Sequence, residues 1–175
     1  MINKLLIANR GEIALRIIRS AKEMDMYTIA VYSDADEDAL HVKRADEAYY
    51  LGGSLPAESY RNLKKLVKAA TDTKADLVHP GYGFLSESPE LAEQCEKNDI
   101  TFIGPSKEIL KRFGNKTEAK KVAEEAKVGT VPSVLVTKEN LKSVEKEVEK
   151  IGYPVIVKAS WGGGGRGMRV VRSSN

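Results

Sequence analysis

The sequence predicts an α/β fold, a doubly wound parallel sheet followed by helices and the start of a second, smaller α+β unit. Three observations carry this. Short apolar runs alternate with helix-like periodic segments over roughly the first hundred residues, the pattern that a parallel sheet with crossover helices requires. Two helical patterns then follow one another across residues 106–127 with no strand between them. Near residue 130 a strand and helix pattern resumes, and it ends in two strands separated by a glycine-rich run.

Residues 5–8 are continuously apolar, as expected of a strand covered on both faces. A helix is expected from Gly11 or Glu12, with Ile13, Ala14, Ile17, Ala21 and Met24 toward the sheet. That spacing leaves Arg16, Arg19 and Glu23 on a polar stripe. Asp25 and Met26 turn the chain into a second strand at residues 28–32, and residues 48–51 form a weaker third. Residues 61–71 read as a helix with Leu63, Leu66, Val67 and Ala70 on one side, and residues 75–79 as a strand stopped by Pro80 and Gly81. Ser88 caps the next helix, with Pro89 at its first position, where a missing N–H costs no hydrogen bond. Residues 101–103 close the set as a strand before Gly104 and Pro105. Beyond them, residues 106–113 and 116–127 are expected as helices, 133–136 as a strand, 138–151 as a helix, and 155–159 and 168–171 as strands.

Composition narrows the function classes. The 28 Lys plus Arg nearly balance 25 Asp plus Glu, and the basic stretch at residues 63–68 reads as the wet face of a helix, so no nucleic-acid partner is indicated. The single cysteine, Cys95, excludes an internal disulfide and falls in a helical pattern as apolar filler. Only His41 and His79 could serve it as bases, and neither is near it in sequence. The apolar start, residues 1–8, is too short for a signal core or a membrane span, which points to a cytoplasmic protein.

Chemistry concentrates in the run Val155-Ile156-Val157-Lys158-Ala159-Ser160-Trp161-Gly162-Gly163-Gly164-Gly165-Arg166-Gly167-Met168-Arg169. Glycines let backbone N–H groups approach phosphate oxygens with no Cβ in the way. Gly162, Gly164 and Gly167 satisfy the dinucleotide spacing, but that motif opens a helix and here a β-rich run follows. No Walker spacing closes the loop, and Gly114-Asn115-Lys116-Thr117 lacks it too. Strand, glycine loop, strand instead describes a flap over a triphosphate. Lys158 precedes the loop, where its ammonium could meet phosphate as a point charge, and Arg166 adds a second anion donor. A ligand-free hairpin would need only about two turn residues, fewer than these glycines supply.

Four segments, in one order along the whole chain, resemble the biotin carboxylase family: Ile7-Ala8-Asn9-Arg10-Gly11-Glu12-Ile13-Ala14, His79-Pro80-Gly81-Tyr82-Gly83-Phe84-Leu85-Ser86-Glu87, Phe102-Ile103-Gly104-Pro105, and Lys158-Ala159-Ser160 with its glycines. The resemblance implies an ATP-grasp ligase. Residues 1–105 would be its Rossmann-like pre-ATP-grasp domain, 106–129 a helical linker and 130–175 part of the lid domain. Enzymes of that family use ATP and bicarbonate, with Mg²⁺, to form carboxyphosphate and carboxylate biotin on a carrier protein. A carboxyltransferase then passes the carboxyl group to an acyl-CoA or keto acid.

By position, the resemblance makes Lys116 and Lys158 the ATP-contacting lysines and Gly162, Gly163, Gly164, Gly165, Arg166 and Gly167 the phosphate lid. Ile156 and Met168 become walls of the adenine pocket. Tyr82 and Gly83 match the loop that approaches biotin, with Glu87 near the same cleft, and Arg16, Arg19 and Glu23 match a homodimer contact. Trp161 departs from a small residue in many relatives and reads as an apolar hinge anchor. The family's metal-binding glutamates, bicarbonate-binding arginine and general base are expected beyond residue 175, so no catalytic residue or metal ligand is expected within residues 1–175. Two other readings stand beside this one: another ATP-grasp ligase of the carbamoyl-phosphate or purine-pathway type, and a non-catalytic folding and dimerisation module. The segment from His79 to Glu87 favours the biotin enzymes.

Overall fold

The computed structural model describes residues 4–160 and 167–174. The chain divides into two compact units, Met1–Lys111 and Arg112–Asn175.

The first unit is built on five strands: β1 (Lys4–Ile7), β2 (Tyr27–Ser33), β3 (Glu47–Gly52), β4 (Leu77–His79) and β5 (Thr101–Phe102). All pairings are parallel and the spatial order is β3-β2-β1-β4-β5. Strands added on both sides of β1 make the sheet doubly wound, as the apolar runs predict. Its crossovers contain α1 (Gly11–Glu23), α2 (Leu40–Arg44), α3 (Leu63–Asp72) and α4 (Pro89–Lys97). Alternation along the strands decides which side chains meet which helices. Leu6, Ala8, Ile29 and Val31 pack with Leu66, Ala70, Leu91 and Cys95 on the α3 and α4 side. Leu5, Ile7 and Ala30 pack with Ala14, Ile17, Ile18 and Ala21 of α1 on the other. Both faces are therefore covered, and each buried Leu or Ile contributes roughly 1.5–3 kcal/mol.

Polar ties fix the ends. Asp46 accepts from the Thr28 N–H and hydroxyl at 2.9 and 2.7 Å and from Lys22 at 2.7 Å, joining the start of β2 to α1. Burial opposes its charge, but these donors outweigh burial and hold its carboxyl at about 2. Ser88 caps α4 by accepting the Leu91 N–H at 3.2 Å, with Pro89 at the first position. Cys95 is buried, and that burial pushes its thiol up to about 11, consistent with an inert filler.

The helix α5 (Lys107–Gly114) crosses the division between the units, and α6 (Lys116–Glu125) follows at once. Asn115 is the break between them because its Oδ1 accepts the N–H groups of Thr117 and Glu118 at 2.9 and 3.3 Å. The second unit continues with α7 (Val144–Ile151) and with β6 (Val155–Val157) and β7 (Arg169–Val171), an antiparallel pair.

Met24, expected toward the sheet, instead caps α1 at 71% exposure, and two expectations in the second unit need correction as well. Residues 133–136 form no strand, because neither described strand of this unit pairs with them. The Leu135 carbonyl is taken instead by the Asn140 side chain at 2.7 Å. The helix expected at 138–151 starts only at Val144. Asn140 also accepts the Thr137 N–H at 2.8 Å, and this local bonding holds residues 138–143 as turns.

Candidate functional site

In an open parallel sheet the carboxyl ends of strands wound in opposite directions leave a crevice, and ligands collect there. In the first unit that point lies between β1 and β4, which are neighbours. Two loops face each other across it, residues 8–10 after β1 and 80–84 after β4.

The second loop is tightly shaped. Gly81, Gly83 and Phe84 all have positive φ, at 63, 68 and 42°. Gly81 donates its N–H to His79 Nδ1 at 3.0 Å, and burial lowers the His79 pKa, so the imidazole is held neutral as an acceptor. Asn9, only 3% exposed, donates to the carbonyls of Pro80 and Tyr82 at 2.7 and 2.8 Å. Tyr82 is 61% exposed, and its hydroxyl donates to the Glu12 carboxylate, which raises the phenol pKa.

Behind the loop stands a polar network. Phe84 stacks on Tyr60 at 5.2 Å between centroids, and the Tyr60 hydroxyl donates to Asp36 at 2.7 Å. Arg10 grips the same carboxylate through Nε and a terminal nitrogen, at 2.8 and 2.5 Å, and Ser33 donates to it at 3.0 Å. The Arg10 contact first, then Tyr60 and Ser33, overcome burial and hold the Asp36 carboxyl at about 2. Burial and the neighbouring Asp36 both push the Tyr60 phenol up. Tyr82 and Gly83 thus project from a loop anchored at both ends, while Glu87 lies exposed just before the α4 cap.

In the second unit the register pairs Val155 with Val171, Ile156 with Val170 and Val157 with Arg169. Continuing it by one step sets Lys158 opposite Met168. Ile156, Lys158, Met168 and Val170 therefore share one face. Ile156 is 53% and Met168 47% exposed, an open apolar surface with a lysine at its end. Lys116, at the first turn of α6, donates its N–H to the Ser160 carbonyl at 3.1 Å, two residues beyond Lys158. Gly167 has φ 72°, the left-handed geometry that glycine supplies. Trp161, Gly162, Gly163, Gly164, Gly165 and Arg166 lie outside the described residues.

Arg16, Arg19 and Glu23 are exposed on α1. Arg19 and Glu23 join Leu15, Ile18, Leu40 and Arg44 around an open depression of about 670 Å³. Among the described residues no group of three or more His, Cys, Asp or Glu could hold a metal ion, and no helix is long and apolar enough to cross a membrane.

Asn9, Asp36 and Tyr60 were not singled out by the sequence reading as site residues. For Asn9 the signal was available: a polar residue directly after an apolar strand, at the carboxyl edge of the central strand. For Asp36 and Tyr60 no local pattern links two residues so far apart in sequence.

A doubly wound parallel sheet joined to a strand, glycine run and strand defines the front of an ATP-grasp fold. Residues 1–110 match the biotin carboxylase N-terminal domain, and residues 115–175 match the ATP binding domain of the carbamoyl-phosphate synthase L chain. The chain belongs to the biotin carboxylase family. It is 50% identical over 176 residues to the biotin carboxylase of Haemophilus influenzae, covering 100% of this chain and 39% of that one. The biotin carboxylase of Campylobacter jejuni, solved with a β,γ-ATP compound, superimposes with a TM-score of 0.91 at 47% identity, covering 99% of this chain and 39% of that one. The biotin carboxylase domain dimer of Hydrogenobacter thermophilus 2-oxoglutarate carboxylase, solved with MgADP, ADP and bicarbonate, gives 0.89 at 44% identity over 98% of this chain and 38% of that one. The chain spans about two-fifths of the length of these relatives, 39% and 38% in the solved structures.

Proposed function

We propose that the chain is the amino-terminal part of a biotin carboxylase, an ATP-dependent ligase that carboxylates biotin on a carrier protein using bicarbonate. The observation that carries this is the loop at residues 80–84, whose Tyr82 and Gly83 are presented at the switch point of the sheet. That segment is also what distinguishes the biotin enzymes from carbamoyl-phosphate and purine-pathway ligases, whose nucleotide domain resembles the second unit. In this reading residues 1–105 are the pre-ATP-grasp domain, 106–129 the helical linker and 130–175 part of the lid.

The hairpin residues fit a nucleotide. In this reading Ile156 and Met168 offer an apolar face to a flat base, and Lys158 and Lys116 take the phosphate charge. The glycine run supplies backbone N–H donors to the same phosphates. Mg²⁺, when bound, neutralises the charge that develops on the transferred phosphoryl group. Residues 1–175, in this reading, orient nucleotide and biotin. Tyr82 and Gly83 approach biotin, with Glu87 at the edge of that cleft. Arg16, Arg19 and Glu23 form a homodimer contact, and the Hydrogenobacter domain was solved as a dimer. The partners are a biotin carboxyl carrier and a carboxyltransferase, in the cytoplasm.

The test is steady-state ATP hydrolysis by the complete protein. Hydrolysis is expected to require bicarbonate, to rise with free biotin and to fall at least about a hundredfold in Lys158→Ala. ATPase activity independent of bicarbonate and indifferent to that substitution overturns the assignment.

A further inference from the structure

Asn9 and the loop after β4 are fitted to each other. A single buried amide donates to two carbonyls two residues apart, those of Pro80 and Tyr82. Its Oδ1 accepts the Arg10 N–H at 2.9 Å, which fixes which end of the amide faces the loop. The backbone folds over this side chain so closely that a Cβ on Gly81 would lie 2.8 Å from Asn9 Nδ2. Gly81 and Gly83 take positive φ readily but are conformationally free, and Phe84 at φ 42° is a non-glycine there, so the loop needs outside contacts to hold this shape. Phe84 on Tyr60 secures its far end, Asn9 secures the backbone of Tyr82, and Glu12 holds the Tyr82 hydroxyl from α1.

We propose that Asn9 is a positioning residue for biotin, setting the backbone of Tyr82 and Gly83, and that Glu12 sets the Tyr82 ring. This rests on the role given to Tyr82 and Gly83 above. Asn9 is too buried to touch a ligand and acts only through the loop. The loop carries none of the residues assigned to ATP, so losing the two donors is expected to separate biotin recognition from ATP recognition.

Asn9→Asp keeps the shape and the acceptor for Arg10 but turns oxygen toward both carbonyls. In the complete protein its KM for free biotin is expected to rise about tenfold while its KM for ATP moves less than about twofold. Glu12→Ala, at an exposed position, is expected to raise the biotin KM by about two- to fivefold. If Asn9→Asp does not fold, Glu12→Ala decides alone. Folded variants with an unchanged biotin KM, or with ATP and biotin KM rising together, overturn the proposal while the parent's response to biotin still stands. A parent whose ATP hydrolysis ignores biotin overturns the functional assignment and this proposal with it.

Discussion

The two units differ in what holds them. Among the described residues every buried one lies in the first, where a parallel sheet is covered on both faces. In the second, no described residue is buried, and apolar side chains such as Leu141, Ile156, Val157 and Val170 are at least half exposed. Its order comes from local devices: the Asn115 cap, the Asn140 turn, a three-residue ladder and ion pairs one helical turn apart, such as Lys120 with Glu124. Burial gives the first unit a cooperative core, whereas the second has shape with little hydrophobic reinforcement.

Core truncation breaks this contrast most directly. Leu6→Ala, at a fully buried position of β1, is expected to destabilise the first unit by about 2–5 kcal/mol, whereas Val170→Ala stays within about 0.5 kcal/mol. Urea melts of the two variants would show it; equal effects would mean that the second unit has a core of its own.

Acid sharpens it next. Burial lowers the pKa of His41 and of His79 below 6.5, so the fold favours both as neutral rings. Their contribution is fully present above 6.5 and is lost as pH falls below it toward the folded values. Asp36 and Asp46, held at about 2, contribute fully above 3.8 and lose that contribution as pH falls from there to about 2. The urea midpoint of the first unit is therefore expected to drop in two stages on acidification, while helicity of the second unit shows no matching steps. A midpoint flat between pH 7 and 5 would remove the two histidines from the account.

The smallest effect belongs to the cap. Asn115→Ala removes the acceptor for two N–H groups of α6 and is expected to cost that helix about 1 kcal/mol, read by amide exchange at Thr117 and Glu118. Spread of that loss into the first unit would show that the two melt as one.

What could be read from the sequence follows the same division. Residues 5–8 and 28–32 are apolar because a strand covered on both faces demands it, and β1 and β2 lie there within about one residue. The Ser88 and Pro89 signal placed α4 for an equally local reason. The five-residue α2 was too short for periodicity to register, and 133–136 looked like a strand because apolar residues alone do not specify a pairing partner. At the crevice, Tyr82 and Gly83 were legible only through resemblance. Asn9, Asp36 and Tyr60 needed the fold, since their contacts cross 73 and 24 positions of sequence.

The strand order also governs how the sheet assembles. Of the five described strands the central β1 leaves the ribosome before the others, and β2 and β3 then add outward on one side before β4 and β5 add on the other. No later strand has to slip between two already paired. Each addition does, however, wait for a crossover, so the loop-closure cost is met one step at a time. The Asn9 clamp can close only after Tyr82 has been made, which places the shaping of the crevice after the α1 side of the core has its first strands and helix.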